Sequence, residues 1–238
     1  MKRVLVTGGS RGLGLAICRR LVTEGYEVVT ASRQPSPPLI ELQAAFPERL
    51  RYCAVDLAQP GAVAKLAQAA GIWEGIDGFV ANAGIGTEGL LTLTSEAAIR
   101  ACIEVNLIST ILLAREVVKA MLDRGGSLVF ISSVAARTGL KGLSVYSASK
   151  GALVALSRSL AREYGGRGIR SNCILPGFMM TEMSQALSPE DRDKIRRRTP
   201  LQRLAEVDEV AASVCFLLSE SARSITGTEI VVDGGMTA

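Results

Sequence analysis

Histidine is absent from this chain of 238 residues. Hydrolases built on a Ser-His-Asp triad and dehydrogenases that hold zinc through histidine are therefore excluded, and we expect no metal site. Aromatic residues make up only 4% of the chain, the net charge is a mild +4, and basic and aromatic residues do not interleave. Nucleic acid is therefore not an expected partner.

Long apolar runs and paired cysteines are also lacking. No apolar run approaches the ~18 residues of a membrane span, so we expect no membrane contact. The few apolar residues before the first glycines fit a first β-strand rather than a signal peptide. The five cysteines stand singly, without a C-x-x-C pair. They are predicted to be reduced core thiols of a cytoplasmic protein: Cys18, Cys53, Cys102, Cys173 and Cys215.

Apolar residues make up 48% of the sequence, enough to bury one large core. Strand-like and helix-like segments alternate, which predicts an α/β fold: a single domain over residues 1–238, with a parallel sheet covered by helices on both faces. Strands are predicted at 4–7, 27–31, 50–55, 75–81, 126–133, 170–175 and 229–232. Helices are predicted at 15–23, 59–70, 95–121, 145–164 and 206–218, and residues 34–38 are expected to form a turn.

A glycine-rich turn joins the first strand to the first helix. Such a turn lets the backbone approach a pyrophosphate, which sits on the helix N-terminus. It is not a P-loop, because no Gly-Lys-Ser/Thr follows. Its first residues also fit the G-x-S-x-G nucleophile elbow, but a chain without histidine has no such base to activate the serine. We therefore interpret it as a phosphate-binding turn formed by Gly8, Ser10, Arg11, Gly12, Leu13 and Gly14.

Two arginines indicate which dinucleotide binds. The second strand ends at Ser32 and Arg33, about 20 residues beyond the glycines, where an acidic residue would bind a ribose 2′-hydroxyl and an arginine a 2′-phosphate. Each arginine alone fits a solvated surface residue. Arg33 together with Arg11 favours NADP(H), since no acidic residue lies between Ala31 and Ile40.

Polar residues at three further points could bind a ligand or serve the fold. Asp56, followed by Leu57, ends the third strand and either caps the next helix or bonds an adenine amino group. Asn82-Ala83-Gly84 follows the fourth strand, and small residues at this point allow a ligand to approach the backbone. Asn106 interrupts the apolar face of the long helix. A buried amide needs partners, so Asn106 is either a structural hydrogen-bonding node or a catalytic residue.

Ser133 ends an apolar strand, and Tyr146 and Lys150 lie in the helix beyond it. Positions i and i+4 share a helix face, so the phenol and the ammonium point the same way. The cation is expected to lower the pKa of the phenol, which is ~10 in water, and an oxidised nicotinamide ring would add to this effect. Y-x-x-x-K alone is common by chance, and the three residues could be ordinary; the rest of the chain decides between these interpretations.

Together these features resemble the short-chain dehydrogenase/reductase family over essentially the whole chain. The resemblance implies an oxidoreductase with a Rossmann fold and a doubly wound, seven-stranded parallel sheet. Ala81 and Ala136 depart from the family pattern, which often has Asn and Gly at these positions; both are small, and neither is expected to touch the chemistry. The matching residues are Thr7-Gly8, Gly12, Gly14, Asp56, Asn82-Ala83-Gly84, Asn106, Ser133, Tyr146, Lys150, Pro176-Gly177 and Thr181.

The resemblance also implies roles for these residues. Tyr146 would be the general acid in ketone reduction, and Ser133 would polarise the carbonyl. Lys150 would hold the nicotinamide ribose and lower the pKa of the tyrosine, while Asn106 would anchor a water. For Asp56 the resemblance favours the adenine contact over the cap. Further cofactor contacts are expected from Pro176, Gly177, Met179 and Thr181.

Within the family, the chain is most similar to β-ketoacyl-acyl-carrier-protein reductases, through TGGSRGLG near its start and ITGTEIVVDGGM near its end. The resemblance implies an NADPH-dependent reduction of a 3-oxoacyl thioester on acyl carrier protein, a step of fatty acid biosynthesis. A basic cluster at 192–203 lies within an expected substrate lid at 178–203. This cluster could steer an acidic carrier or be a solvated helix face.

Other functions stay open at this point. Many relatives act on sugars, steroids or other small alcohols, so an NADP(H)- or NAD-dependent dehydrogenase or reductase of a small alcohol or ketone is the alternative. A dinucleotide-binding regulator without catalysis is disfavoured, because Ser133, Tyr146 and Lys150 are all present at working spacing. The habit of the family also suggests a homotetramer joined by the two long helices.

Overall fold

A seven-stranded sheet forms the centre of the fold. The computed structural model describes residues 1–179 and 188–238. In the described chain the strands run parallel in the order β3-β2-β1-β4-β5-β6-β7, which is the doubly wound order of dinucleotide-binding folds with one strand added. Their bounds are β1 Arg3–Thr7, β2 Glu27–Ser32, β3 Leu50–Ala54, β4 Gly78–Ala81, β5 Gly126–Ile131, β6 Ile169–Pro176 and β7 Glu229–Val232.

Helices connect the strands. Their bounds are α1 Gly12–Thr23, α2 Pro37–Ala45, α3 Ala62–Ala69, α4 Glu96–Ile103, α5 Ser109–Met121, α6 Ala135–Thr138, α7 Ser144–Tyr164, α8 Pro189–Arg198 and α9 Val207–Leu218. A π-helical turn, Glu104–Ile108, joins α4 to α5. Short 3-10 turns lie at Ile72–Glu74, Leu91–Leu93, Gly165–Arg167 and Glu220–Ala222.

Both faces of the sheet carry a hydrophobic core. Successive strand side chains point to opposite faces, and in β1 Leu5 belongs to one apolar cluster while Val4 and Val6 belong to the other. The Leu5 cluster includes residues of α3, α5 and α7. The other includes residues of α1, α2 and α9. The predicted α/β architecture, with helices on both faces, is confirmed.

The cysteines belong to this core. All five lie within the described ranges, and each is buried and unpaired, as predicted. Burial raises the pKa of Cys18, Cys173 and Cys215 to about 12. These groups are therefore neutral thiols at physiological pH.

Helix α2 corrects the expectation of a turn at residues 34–38. The helix begins at Pro37, and the Ser36 side chain caps it by accepting a hydrogen bond from the Leu39 amide at 3.3 Å. Proline suits the first helical turn because its missing N–H would have no partner there. Two adjacent prolines therefore start a helix here instead of forming a turn.

Helix α3 decides one of the alternatives for Asp56. The helix begins at Ala62, and Gly61 occupies the capping position without a side-chain bond. The Asp56 carboxylate instead accepts the Ala58 amide at 3.1 Å in the connection before the helix. The helix-capping interpretation of Asp56 is therefore wrong.

The predicted helix at 95–121 is one continuous helical stretch in three parts. Within the described residues, the stretch Glu96–Met121 is long and apolar enough, by length and composition, to cross a membrane, although only 33% of its most apolar window is buried in this chain. Its inner face packs in the core through Leu113, Val117 and Met121. Its outer face leaves Ile108 and Ile111 more than a third exposed.

The segment expected to be a substrate lid is described only in part. Thr181 lies outside the described residues. Met179 forms an isolated parallel bridge with Ala205, and most of the basic cluster lies on α8. Ion pairs engage several of its charges: Lys194 with Asp191, Arg196 and Arg197 with Asp193, and Arg203 with Glu209. The lid stays a prediction.

Candidate active site

The candidate residues follow the carboxyl ends of the central strands. Gly8 follows β1, Asn82 follows β4, Ser133 lies two residues beyond β5, and Gly177 follows β6. β1 and β4 are neighbours in the sheet, and the chain winds outward from them in opposite directions. In open α/β sheets, ligands bind in the crevice at this reversal of strand order.

The glycines of the turn between β1 and α1 are required by their surroundings. Gly8 has a φ of +73° and Gly12 a φ of +52°, which L side chains rarely adopt. A Cβ on Gly9 would stand 1.9 Å from Thr30 Oγ1, and one on Gly14 would stand 2.0 Å from the Gly8 carbonyl oxygen. The turn therefore packs against β2 at Gly9 and against its own backbone at Gly14, and neither position has room for a side chain.

The N-terminus of α1 fits a pyrophosphate. Arg11 occupies the capping position without a side-chain cap, and the first turn holds no acidic residue. The first amides of a helix lack intrahelical partners and carry partial positive charge. A negatively charged group can therefore be bound here without competition from a capping carboxylate.

Asn82 supports this turn from the neighbouring strand. Its side-chain amide donates to the carbonyl oxygens of Thr7, at 3.0 Å, and Gly8, at 3.1 Å. Thr7 Oγ1 accepts the amides of Asn82 and Ala83, each at 3.1 Å. The side chain of Asn82 thus fixes the turn, and Thr7 has a supporting role that the sequence did not reveal.

The expected adenosine end lies beside β2. Arg11 and Arg33 are both exposed, and Ser32 donates from its hydroxyl to the Gln34 carbonyl at 2.8 Å. Ser36, which caps α2, also donates to the Ser10 carbonyl, so α2 is tied directly to the glycine-rich turn. Leu57 packs against the core.

Tyr146 and Lys150 lie on one face of α7, as the i, i+4 spacing predicts. The Lys150 ammonium is 5.8 Å from the centre of the Tyr146 ring. Lys150 is only 4% exposed, and its Nζ donates to the Ile131 carbonyl at the end of β5, at 2.8 Å. Ser132 Oγ in turn donates to the Lys150 carbonyl at 2.8 Å. These bonds hold the first turns of α7 against the end of β5.

The pKa of Tyr146 is raised, so the predicted lowering by Lys150 is wrong for this structure. Burial is the largest cause, a hydrogen bond with Ser133 opposes it, and the Cys102 thiol adds to it. Burial also lowers the pKa of Lys150 to about 8. The same desolvation thus acts on both groups, favouring a neutral phenol and weakening the charge of the amine.

Asn106 lies in the π-turn between α4 and α5 and is fully buried. Its Oδ1 accepts the Ile85 amide at 2.8 Å, and its Nδ2 donates to the Ile85 carbonyl at 3.0 Å and to Ser149 Oγ at 3.0 Å. The side chain is therefore a structural node. It is also next to the lysine: a Cβ on Gly84 would stand 3.3 Å from both Asn106 Oδ1 and Lys150 Nζ.

The structure thus brings Asn106, Ser133, Tyr146 and Lys150 together, with Asn106 and Lys150 next to Gly84. Gly177, after β6, packs closely against Asp233: a Cβ added at Gly177 would stand 2.6 Å from Asp233 Cβ. Ser149, between Tyr146 and Lys150, was not singled out from the sequence. The only signal for it was a hydroxyl at position i+3 from the tyrosine. Among the described residues, no group of three or more acidic, histidine or cysteine side chains could hold a metal ion.

Comparisons with known proteins agree with this arrangement. A family model described as enoyl-(acyl carrier protein) reductase matches residues 8–237. The 3-oxoacyl-[acyl-carrier-protein] reductase FabG of Salmonella typhimurium is 37% identical over 238 residues, which cover 99% of this chain and 97% of the relative. Carbonyl reductase family member 4 of Xenopus laevis is 37% identical over 235 residues, which cover 97% of this chain and 96% of the relative.

A solved structure of a short-chain type dehydrogenase/reductase from Mycobacterium ulcerans superposes with a TM-score of 0.92, at 31% identity, covering 99% of this chain and 89% of the other. Fold and comparisons together define a Rossmann-fold oxidoreductase with a nicotinamide cofactor. The chain belongs to the short-chain dehydrogenase/reductase family. This confirms the resemblance drawn from its motifs, including the similarity to β-ketoacyl-acyl-carrier-protein reductases.

Proposed function

We propose that this protein is an NADPH-dependent carbonyl reductase that reduces a 3-oxoacyl thioester on acyl carrier protein to the 3-hydroxyacyl form. The observation that carries this proposal is the pair formed by the half-buried Tyr146 and the buried Lys150, 5.8 Å from ring centre to Nζ, at the strand ends that also present the glycine-rich turn. When bound, the dihydronicotinamide supplies the hydride. The chain's own residues supply the proton and orient the substrate and the cofactor.

Tyr146 is the proton donor to the carbonyl oxygen. Its raised pKa keeps the phenol protonated at neutral pH, which is the form that a general acid needs in the reductive direction. Ser133, which hydrogen-bonds the phenol, polarises the carbonyl. Lys150 holds the nicotinamide ribose. Asn106 anchors a water through its main-chain carbonyl, because its side chain is engaged by Ile85 and Ser149.

NADP(H) is the proposed cofactor. The cofactor contacts are those expected from the sequence at the turn, at Ser32 and Arg33, at Asp56 and Leu57, at Asn82 to Gly84, and after β6 through Thr181. Arg11 and Arg33 are the exposed cations at the adenosine end. A 2′-phosphate is recognised by such groups through charge-assisted hydrogen bonds.

The carrier-linked substrate is supported by the relative named 3-oxoacyl-[acyl-carrier-protein] reductase. The test is NADPH oxidation with a panel of ketones: a β-ketoacyl group on acyl carrier protein, the same group on a small thiol, and unrelated cyclic and sugar ketones. A kcat/KM for the carrier-bound form well above that of the small thioester supports the proposal. Equal kcat/KM values for the two thioesters would show that the enzyme does not recognise the carrier.

A reductase of small ketones is the second candidate. It is favoured by the relative named carbonyl reductase family member 4. It is also favoured by the ion pairs of Arg203 and of three cations on α8 with acidic side chains, which leave less net positive charge for an acidic carrier. A higher kcat/KM for a free ketone than for any thioester would establish it.

The assembly that we propose is a cytoplasmic homotetramer with α5 and α7 in its contacts. Ile108 and Ile111 present apolar surface on the outer side of the α4–α5 stretch. The outer side of α7 presents small residues, including the exposed Ala148 and Ala155. Small side chains allow helices to approach closely.

A further inference from the structure

Ser149 lies on the fully buried side of α7, one residue before Lys150. Its hydroxyl makes two strong hydrogen bonds. It donates to the Tyr146 carbonyl at 2.7 Å and accepts from Asn106 Nδ2 at 3.0 Å. A single buried oxygen therefore connects the first turn of the helix that carries Tyr146 and Lys150 to the π-turn that carries Asn106.

The connection extends to a third segment of the site. The Asn106 amide also clamps both backbone groups of Ile85, directly after Gly84. Ser149 thus ends a chain of hydrogen bonds that runs from the loop after β4, through the π-turn, to α7. Every polar atom of the Asn106 side chain has a partner in this network.

We propose that Ser149 is a positioning residue for the reaction: its hydroxyl sets the position of Asn106 relative to Tyr146 and Lys150. The inference rests on the proposed function and deepens it. Hydroxyl removal would leave one Nδ2 hydrogen of Asn106 with the weak sulfur acceptor of Cys102, at 3.4 Å. A buried amide that loses its partner moves or stays unsatisfied, and small displacements of catalytic groups slow turnover strongly.

Ser157 provides the matched control. It is a second fully buried serine of α7, and its hydroxyl bonds Ser171 Oγ at 2.9 Å, two turns away from the site. Ser157→Ala makes the same chemical change in the same helix. It should lower the melting temperature without changing kcat.

The experiment compares the wild type with Ser149→Ala, Ser149→Thr and Ser157→Ala at saturating NADPH. We expect Ser149→Ala to lower kcat about tenfold or more, with the Kd for NADPH changed less than twofold. Ser149→Thr should recover most of the rate, since a helical threonine can also bond a carbonyl three residues back. Amide hydrogen exchange at Ile85 should be faster in Ser149→Ala and unchanged in Ser157→Ala.

Two results would overturn the inference: a kcat of Ser149→Ala equal to that of Ser157→Ala, or a loss of NADPH binding parallel to the loss of rate. Should Ser149→Ala not fold, Ser149→Cys repeats the test, because a thiol fills the space but bonds weakly; a rate equal to that of Ser149→Thr then contradicts the inference. If the wild type reduces no ketone, the proposed function fails, while Ile85 exchange still tests the network.

Discussion

At the residue scale, the site combines two groups whose ordinary ionisation is disfavoured by burial. Tyr146 is held neutral and Lys150 has a pKa of about 8. A neutral phenol is ready to give a proton, and an amine of this pKa remains largely charged at pH 7. Desolvation thus suits the pair to the proposed reduction, in place of the charge effect of lysine on tyrosine that the spacing alone suggested.

The buried amine should leave a signature in the pH dependence of stability. Below pH 8 the folded and the unfolded chain both carry the proton on Lys150, and the desolvation penalty is fully present. Between pH 8 and 10.5 the folded chain has released a proton that the unfolded chain keeps, so stability rises with pH. From pH 7 to pH 10, the free energy of unfolding of the wild type should rise by about 2 kcal/mol relative to that of Lys150→Met.

Denaturant unfolding of both proteins at the two pH values measures the free energy of unfolding of each. The contributions of most other titrating groups are the same in both proteins and cancel in the difference between them. A constant difference between wild type and variant would mean that Lys150 keeps an ordinary pKa.

Arg33 should decide the choice of dinucleotide. Arg33→Asp replaces a cation that suits a 2′-phosphate with an acid that suits a 2′-hydroxyl. We expect the ratio of kcat/KM for NADPH over NADH to fall at least about tenfold, as loss of a charge-assisted bond implies. Arg223→Asp is the control. Arg223 is an exposed arginine beyond the end of α9, and its replacement should leave the ratio unchanged. A ratio that Arg33→Asp does not alter would remove Arg33 from the cofactor site.

At the scale of elements, the turn between β1 and α1 depends on close backbone contact. Gly14→Ala would place a Cβ 2.0 Å from the Gly8 carbonyl oxygen, so the turn must open and its amides must move. The expected result is loss of measurable NADPH binding by fluorescence titration. Gly166→Ala is the control, because a Cβ there meets nothing within 4 Å. Normal NADPH affinity in Gly14→Ala would show that this turn does not hold the phosphates.

Periodicity and spacing in the sequence predicted most strands and helices, and the features that they missed have physical reasons. The strands and the Tyr146–Lys150 face follow from local patterns, because periods of 2 and 3.6 residues dictate which side chains share a face. Helix α2 was missed because its two starting prolines also fit a turn. The π-turn at Asn106 inserts a single residue into a helix, which hardly disturbs the apolar pattern. Ser149 was missed because its partner Asn106 is 43 positions away.

At the scale of the whole molecule, one apolar helix stretch has an outer face that the single chain leaves uncovered. Ile111 is 37% exposed on α5, within the surface proposed to join subunits. Ile111→Glu should reduce the assembly to smaller species, because a charge buried in an interface is costly without a partner. Light scattering after size exclusion measures the mass.

Ile40→Glu is the matched control, since Ile40 is 54% exposed on α2, on the other side of the sheet. A monomeric wild type, or an assembly that survives Ile111→Glu unchanged, would contradict the proposed contact.

The most direct test of the whole account is the rate of NADPH oxidation by Tyr146→Phe with a saturating ketone substrate, next to its Kd for NADPH. Loss of a general acid should lower kcat about 100-fold or more, while NADPH affinity stays within a small factor of the wild type. Turnover at the wild-type rate in this variant would show that the phenol is not the proton donor, and the proposed mechanism would be wrong.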